Sequence, residues 1–480
     1  MPTPRLPPVR RLLAATCLLV LATGVLTQWQ AIDEFVYEQH RHWRFELFEQ
    51  GKGEKRLTGL SLKAQTEVRT EAVASLAAPG WNGERVWSGD DDWEPTVATR
   101  PNSSEVWQLT TRYNGPKACK GCPDPVIVLR KSTDGGVSWG ADRFAPITKN
   151  AQNDPQMQIA TEGTIYLVWI DGYTPGVRFS KSTNGGNSWS TPLQLTPRGA
   201  VPDWSDKPIL LISPTGTDVY VCFNASNAFV RSSHDYGATF APAVKTNNDT
   251  RYWFHTAGAV APNGDVYFIT SDFAQDYLGD AYINVVKSTN GGTSWSTTRI
   301  DTSREMPACT WSTDCYKGFF GTIAGLAIDG SGRIMAGYNA NDIPGMPMQM
   351  YLKTSTDGGT TWSARQDISG AGPSINHHTV QIAATGSGRF AVMWQDDRYG
   401  VNFGYNAFLK ETTNGGNSWG SLIRLSDATT GAPYKNSAGH NFPYGDYLGV
   451  AYDSAGRIHA IWGEGLSFKG PGGTWYTRRN

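Results

Sequence analysis

One pattern, Ser/Thr-x-Asp/Asn-x-Gly-x-x-Trp/Phe, occurs six times in this chain, beginning at Ser132, Ser182, Ser233, Ser288, Ser355 and Thr412. Its aromatic position is filled by Trp139, Trp189, Phe240, Trp295, Trp362 and Trp419. The starts are separated by 50, 51, 55, 67 and 57 residues. Near-regular spacing of one motif marks a supersecondary unit repeated along the chain, with the variation absorbed in loops. The residue types specify a tight reversal. Asp134 or Asn184 accepts hydrogen bonds from turn amides, and Gly136 or Gly186 supplies a positive φ. The aromatic is expected to fold back onto its own hairpin and cover apolar surface.

Strand patterns surround each copy. The second unit reads as strands at 156–160, 164–170 and 177–182, then the motif, then 192–196. The same four-strand cycle starts near Pro95, Pro155, Pro208, Thr256, Gly321 and His378. After the sixth copy three strands follow, at 447–453, 458–464 and 475–479, without a motif. The stretch 84–89, upstream of the first cycle, completes this last set. Such a closure removes the exposed sheet edges that an open ring would leave. The expected fold is all-β, a seven-bladed β-propeller over residues 84–480, with six blades as the alternative.

Composition agrees with this and narrows the function. Among 480 residues there are 53 Gly and 18 Trp, and aromatics reach 12%, a profile of many tight turns and pleated surfaces. Basic side chains number 42 against 43 acidic, so the chain carries no footprint for nucleic acid, which requires clustered Lys and Arg. Arg5, Arg10 and Arg11 precede an apolar run from Leu12 to Leu26, the order of an export signal. Residues 1–27 are read as a signal peptide or an uncleaved membrane anchor, which places the protein outside the cytoplasm. Residues 28–80 are more charged and read as a partly helical stalk or linker. Cys309 and Cys315 bracket a short loop that a disulfide can close, and Cys119-x-x-Cys122 reads as a local disulfide. Cys222 sits in an apolar strand pattern as a buried thiol.

Strand alternation sorts the loops. The repeated motifs are 3–4 turns and share one face with the short 1–2 turns. The 2–3 and 4–1 loops form the opposite face, where the unusual residues collect: Asp154, Asp206, Arg251, His255, Arg304, His377, His378, Asp397, Arg398, Tyr399, His440, Tyr444, Tyr447 and Glu464. Polar and aromatic loops on one rim of a rigid scaffold are where binding and catalysis are placed. Glu94, Asp154 and Asp206 stand near the starts of innermost strands. Carboxylates crowded there need a counter-charge, with calcium the one candidate ion, or protons held at raised pKa. The chemistry considered below requires no cofactor.

The repeated motif is the Asp box, and over residues 84–480 the chain resembles the sialidase superfamily. That resemblance implies an exo-acting glycosidase on extracellular glycans. In sialidases three arginines clamp the substrate carboxylate, an Asp serves as acid/base, and a Tyr–Glu pair is the nucleophile. The matching candidates are Arg251, Arg304 and Arg398 for the clamp, Asp154 or Asp206 for the acid, and Tyr444 or Tyr447 with Glu464 for the nucleophilic pair. Arginine forks match a carboxylate, and a neutral phenol approaches an anionic sugar with little repulsion. The Arg-Ile-Pro signature of that family is missing; Arg100-Pro101 is the nearest sequence. A second reading is a uronate polysaccharide lyase, with His255, His377, His378, His440, Tyr399 and Tyr447 for proton transfer and Arg to neutralise the uronate. A third is a non-catalytic propeller that binds glycan or protein through Trp204, Trp253, Trp311, Phe319, Phe320 and Tyr399.

Overall fold

The computed structural model describes residues 78–88, 92–113, 115–172, 176–196, 205–225, 227–247, 249–274, 279–305, 323–399, 404–426, 432–433, 435–436, 439–440, 448–465 and 472–480. Within these residues the chain is strand and turn, with no helix. The export segment 1–27, all but the last three residues of the stalk, and Cys309, Cys315, Tyr444 and Tyr447 lie outside them.

Seven antiparallel sheets follow one another. Blade 1 is Asp92–Thr99, Val106–Arg112, Val126–Ser132 and Arg143–Phe144. Blade 2 is Gln152–Ile159, Ile165–Asp171, Val177–Ser182 and Leu193–Gln194. Blade 3 is Asp206–Ile212, Val219–Ala225, Asn227–Ser233 and Val244–Lys245, and blade 4 is Tyr252–Val260, Val266–Phe273, Ala281–Ser288 and Ser296–Ser303. Blade 5 has Gly325–Ile328, Ile334–Ala340 and Gln349–Ser355, with Gln366 bridging Leu352 at its outer edge. Blade 6 is His377–Thr385, Arg389–Asp396, Gly404–Thr412 and Ile423–Arg424. Blade 7 takes Leu448–Tyr452, Ile458–Gly465 and Gly472–Arg478 from the end of the chain and Arg85–Ser88 from its beginning, paired as Arg85↔Tyr476 and Val86↔Trp475. Innermost strands touch their neighbours all the way round, and blade 7 meets blade 1. The ring has seven blades.

The core lies between blades. Seven apolar clusters fill the seven gaps. The gap between blades 1 and 2 holds Trp107, Leu129, Met157, Leu167 and Trp169, all buried. The gap between blades 7 and 1 holds Val97, Val106, Ile461 and Tyr476. The repeated turns have a second role here. In each of them the opening hydroxyl accepts the amide of the glycine four residues on, as Gly136 N–H to Ser132 Oγ at 2.8 Å and Gly186 N–H to Ser182 Oγ at 2.9 Å. Asp134 accepts the Ser138 hydroxyl and the amides of Ser138 and Val137, and these bonds, the hydroxyl's foremost, hold its carboxyl far below the usual range. Asp357, bonded to the Thr361 hydroxyl and amide, is lowered to about 2.

The aromatics reach beyond their own hairpins, while Trp362 also donates from its indole to Gly359 O of its own turn at 3.1 Å. Each packs into the gap toward the preceding blade: Trp139 against Tyr476 of blade 7, ring centroids 5.3 Å apart, and Phe240 against Phe179 of blade 2 at 5.0 Å. Trp189, Trp295, Trp362 and Trp419 join the clusters between blades 1 and 2, 3 and 4, 4 and 5, and 5 and 6. The glycine four residues after the opening hydroxyl touches the same neighbour, and a Cβ on Gly186 would lie 2.6 Å from the Trp107 ring. The motif is thus an inter-blade joint. Only glycine combines its positive φ, +77°, with that close approach.

The innermost strands of blades 1 to 4 begin two to four residues earlier than the Pro and Thr positions at which the sequence places them. The reason is a recurring bulge. Register breaks occur between Trp93 and Thr96, Asn153 and Gln156, Asp206 and Ile209, His255 and Ala257, and His378 and Val380. Proline, which cannot donate to a ladder, occupies the bulge in blades 1, 2 and 3 as Pro95, Pro155 and Pro208.

Candidate functional site at the loop face

Hydrogen bonds place the two faces. On the turn face, Gly135 N–H bonds Ser104 O at 2.9 Å and Gly415 N–H bonds Gly388 O at 2.8 Å, so the repeated turns lie beside the 1–2 turns. The 2–3 and 4–1 loops contact each other at the other end, as Arg304 N–H to Asn341 O at 3.0 Å and His377 N–H to Met348 O at 2.8 Å.

All five bulges lie at this loop end of the innermost strands. Four place a non-glycine residue in the left-handed region: Glu94 (φ 55°), Asp154 (φ 53°), Lys207 (φ 45°) and Thr379 (φ 44°). Bulges re-aim side chains, and backbone strain of this kind clusters at functional sites. These four side chains are 5%, 0%, 0% and 1% exposed, each at the inner edge of its own blade. Neighbouring blades clamp the bulges. Thr111 accepts the Asp154 amide at 3.2 Å, and Asn224 accepts the His255 amide at 2.9 Å while donating to its carbonyl at 3.0 Å. Thr256 bonds both N–H and C=O of Ala324 in blade 5, and the Asn339 amide donates to His377 O at 3.3 Å. A belt of buried polar side chains therefore fixes the mouth of the ring.

The three arginines proposed as a clamp each hold a carboxylate. Arg398 grips Asp396 with Nε at 2.9 Å and Nη2 at 2.6 Å, and stacks 4.4 Å from the Phe408 centroid. Arg251 binds Asp272 and donates to Asp280 O at 2.6 Å. Arg304 pairs with Asp280 at 2.7 Å, its side chain 53% exposed. Arg251 and Arg304 thus meet at Asp280, while Arg398 sits on blade 6. A simple rule underlies this: in blades 2, 4 and 6 an Asp at the end of the second strand (Asp171, Asp272, Asp396) is held by an Arg of the same blade (Arg178, Arg251, Arg398).

The histidines are interior groups. His255 is fully buried beside the Thr246 hydroxyl at 3.2 Å, and burial pushes its imidazole down to about 3. His378 is 2% exposed and bonded to the Thr379 hydroxyl at 2.6 Å. His377 lies against Met348 O at 3.0 Å and is lowered by burial, which Asp396 opposes. None of the three presents its ring to solvent, because the innermost strands turn them into the gaps. Trp253, expected as a stacking surface, is 3% exposed and donates to Asp249 at 2.6 Å. Tyr399 is 48% exposed. Asp206 is 9% exposed and accepts the Lys207 amide at 2.8 Å. His440 pairs with Lys435 in a short hairpin and Glu464 pairs with Gly473 in blade 7. Among the described residues no group of three or more His, Cys, Asp or Glu is arranged to hold a metal ion.

Asp397 is the carboxyl at this face with a large upward shift. It accepts the Asn376 amide at 2.8 Å, and burial, helped by the neighbouring Asp396, raises it to about 6. The Asn376 side chain in turn donates to the buried Tyr405 hydroxyl at 2.9 Å. A free Asp titrates near 3.9, so the folded protein binds this proton more tightly than the unfolded chain does. Stability is therefore expected to fall as pH rises from about 4 to about 6 and to level off above that. In thermal melts Asp397→Asn should equal the wild type near pH 4 and exceed it near pH 7. A constant difference across that window would contradict the assignment.

The sequence did not single out Lys207, Thr379, Tyr282, Arg299 or Arg365 as site residues. Lys207-Pro208 occupies the same place as Glu94-Pro95 and Asp154-Pro155, and that alignment was the available signal.

No protein-family model matches the chain, and no curated relative matches it. Solved structures do share its fold. An ulvan lyase of a new polysaccharide lyase family, bound to -[GlcA(1-4)Rha3S]-, is 12% identical with a TM-score of 0.51, covering 81% of this chain and 94% of its own. A protein of unknown function from Dyadobacter fermentans is 15% identical with a TM-score of 0.48, covering 84% and 99%. A leech intramolecular trans-sialidase is 13% identical with a TM-score of 0.40, covering 78% and 65%. At these identities the likeness is one of fold.

Proposed function

We propose that this protein is a carbohydrate-active propeller that engages an acidic glycan at its loop face. The observation that carries this reading is the set of bulges. Four strained, non-glycine residues with polar side chains stand at equivalent places in four blades, all at one mouth of the ring, and Asp154 among them is held from the neighbouring blade by Thr111. Buried strained bulges repeated at that end support a working surface there, whereas the left-handed non-glycine residues of the turn face, Asn102 and Tyr236, sit in short exposed reversals. The fold shared with a lyase bound to a glucuronate and sulfated rhamnose chain makes acidic polysaccharides the class to try first. The apolar run at 12–26 supports a location outside the cytoplasm, with or without a membrane tether.

Among activities, the repeat resemblance points to exo-hydrolysis of sialosides, with Asp154 or Asp206 as acid and Tyr444 or Tyr447 with Glu464 as the nucleophilic pair. Its clamp would have to recruit Arg251, Arg304 and Arg398 away from Asp272, Asp280 and Asp396. Breaking such pairs leaves carboxylates without counter-charge, which disfavours a three-arginine clamp built from these residues. Engaging an acidic glycan without that clamp has no such requirement. The test incubates the full chain with sialosides and with uronate polysaccharides, ulvan included, and probes a glycan array. Released sialic acid identifies the hydrolase, and new ultraviolet absorbance from an unsaturated uronate identifies a lyase. Array binding without turnover identifies a binding module. Absence of turnover and of binding to any acidic glycan refutes the proposal.

A further inference from the structure

On the loop face, where blades 4 and 5 meet, a cleft of ≈ 550 Å³ is lined by Asp280, Tyr282, Arg299, Arg304, Asp342 and Arg365. Two of its three guanidinium groups are committed. Arg365 binds Asp301 at 2.7 Å, Asp342 at 2.5 Å and Thr302 O at 2.8 Å. Arg304 pairs with Asp280 through one nitrogen at 2.7 Å. Arg299 differs. It is exposed, and among the described residues it has no carboxylate partner. Its guanidinium lies 3.5 Å from the centroid of Tyr282, and the Arg251 guanidinium lies 4.3 Å from the same centroid.

A guanidinium stacked on an aromatic ring is held by its face and keeps its N–H edge for a planar or tetrahedral anion. Arg251, the other guanidinium on that ring, is neutralised by Asp272, so the uncompensated positive charge an arriving anion meets is that of Arg299. Asp342, 65% exposed, and Asp280, 31% exposed, add acceptors at the rim. A lone inorganic anion has no use for such carboxylates, whereas the hydroxyls of a sugar donate to them. We infer that this cleft is a subsite for a sugar that carries a carboxylate or a sulfate ester, with Arg299 as its principal ligand and Arg304 as a second donor. The inference rests on the reading proposed above and adds the place where the anionic group binds.

Calorimetry with the full chain tests it, using a tetrasaccharide that bears both a uronate and a sulfate ester, its carboxyl-reduced form and its desulfated form. Arg299→Ala is expected to weaken binding of the doubly charged probe roughly tenfold, as loss of a charge-assisted pair does. Arg299 is exposed, so the melting temperature should not move. The probe for which wild type and R299A bind equally well identifies the group that Arg299 holds. If R299A binds the doubly charged probe as the wild type does, the subsite is wrong while the acidic-glycan reading stands. If the wild type binds none of the three probes, the subsite fails, and the glycan array decides the acidic-glycan reading separately.

Discussion

Trp107→Ala is expected to lower the stability of the propeller by about 3–5 kcal/mol, near the top of the range for a single core truncation. Trp107 is fully buried in the gap between blades 1 and 2. Its indole N–H bonds Glu105 at 2.7 Å, and its ring is the surface against which Gly186 of the next blade closes. Lys131 stands 5.3 Å and Arg143 5.8 Å from the ring centroid. Truncation would remove the packing on both blades, leave a cavity at the joint, and take one hydrogen bond from the Glu105 carboxylate, which keeps Lys131 at 3.0 Å. Chemical denaturation monitored by near-ultraviolet circular dichroism measures the loss. The half-buried Trp189, in the same gap, should cost distinctly less when truncated. Equal losses at the two positions would show that the joint does not depend on the buried ring.

Arg112→Met is the second large expectation, again about 3–5 kcal/mol. Arg112 and Asp92 are both 0% exposed. Nε and Nη2 of the arginine each contact the carboxylate at 3.0 Å, and Nη1 reaches Asp142 at 2.7 Å and Pro116 O at 3.3 Å. The paired aspartates raise the guanidinium pKa still further, so it is charged at every accessible pH. Its removal strands a carboxylate in the interior, where an uncompensated charge costs far more than the pair contributes. The double change Asp92→Asn with Arg112→Met should recover most of the loss. A double variant as unstable as the single one would mean that packing of the arginine stem, and not charge, sets the cost.

The fold was legible because its specification is local. Ser132 to Trp139 and its five relatives are each complete within eight residues, so counting them gave the blades, and the leftover strands near 448–478 pointed to 84–89 as their partner. The direction of the aromatics was not legible, since Trp139 meets Tyr476 and Phe240 meets Phe179 only once neighbouring blades are side by side. The bulges were misread for a related reason. Pro95, Pro155 and Pro208 look like strand starts in a linear pattern, whereas the strand passes through them with an extra residue. At the site, exposure was the missing quantity. His255, His378 and Trp253 have the composition of a binding loop and the burial of a core. Arg251, Arg304 and Arg398 were found, but the pairing of the first two with Asp272 and Asp280 exists only once strands lie side by side, and Arg365, held by Asp301 from another blade, was not found at all.

The mixed ancestry of blade 7 dictates when the molecule can become whole. Residues 85–88 are made about 385 residues ahead of 472–478, the strand with which they pair among the described residues. At about 5–20 residues per second, the early segment waits on the order of tens of seconds with its hydrogen-bonding edge unmatched. Blades 1 to 6 can mature in order during that interval, but the circle locks in a single late event. A ribosome stalled anywhere before the last strand therefore yields an arc with two raw ends, a natural substrate for chaperones or for pairing with a second such arc.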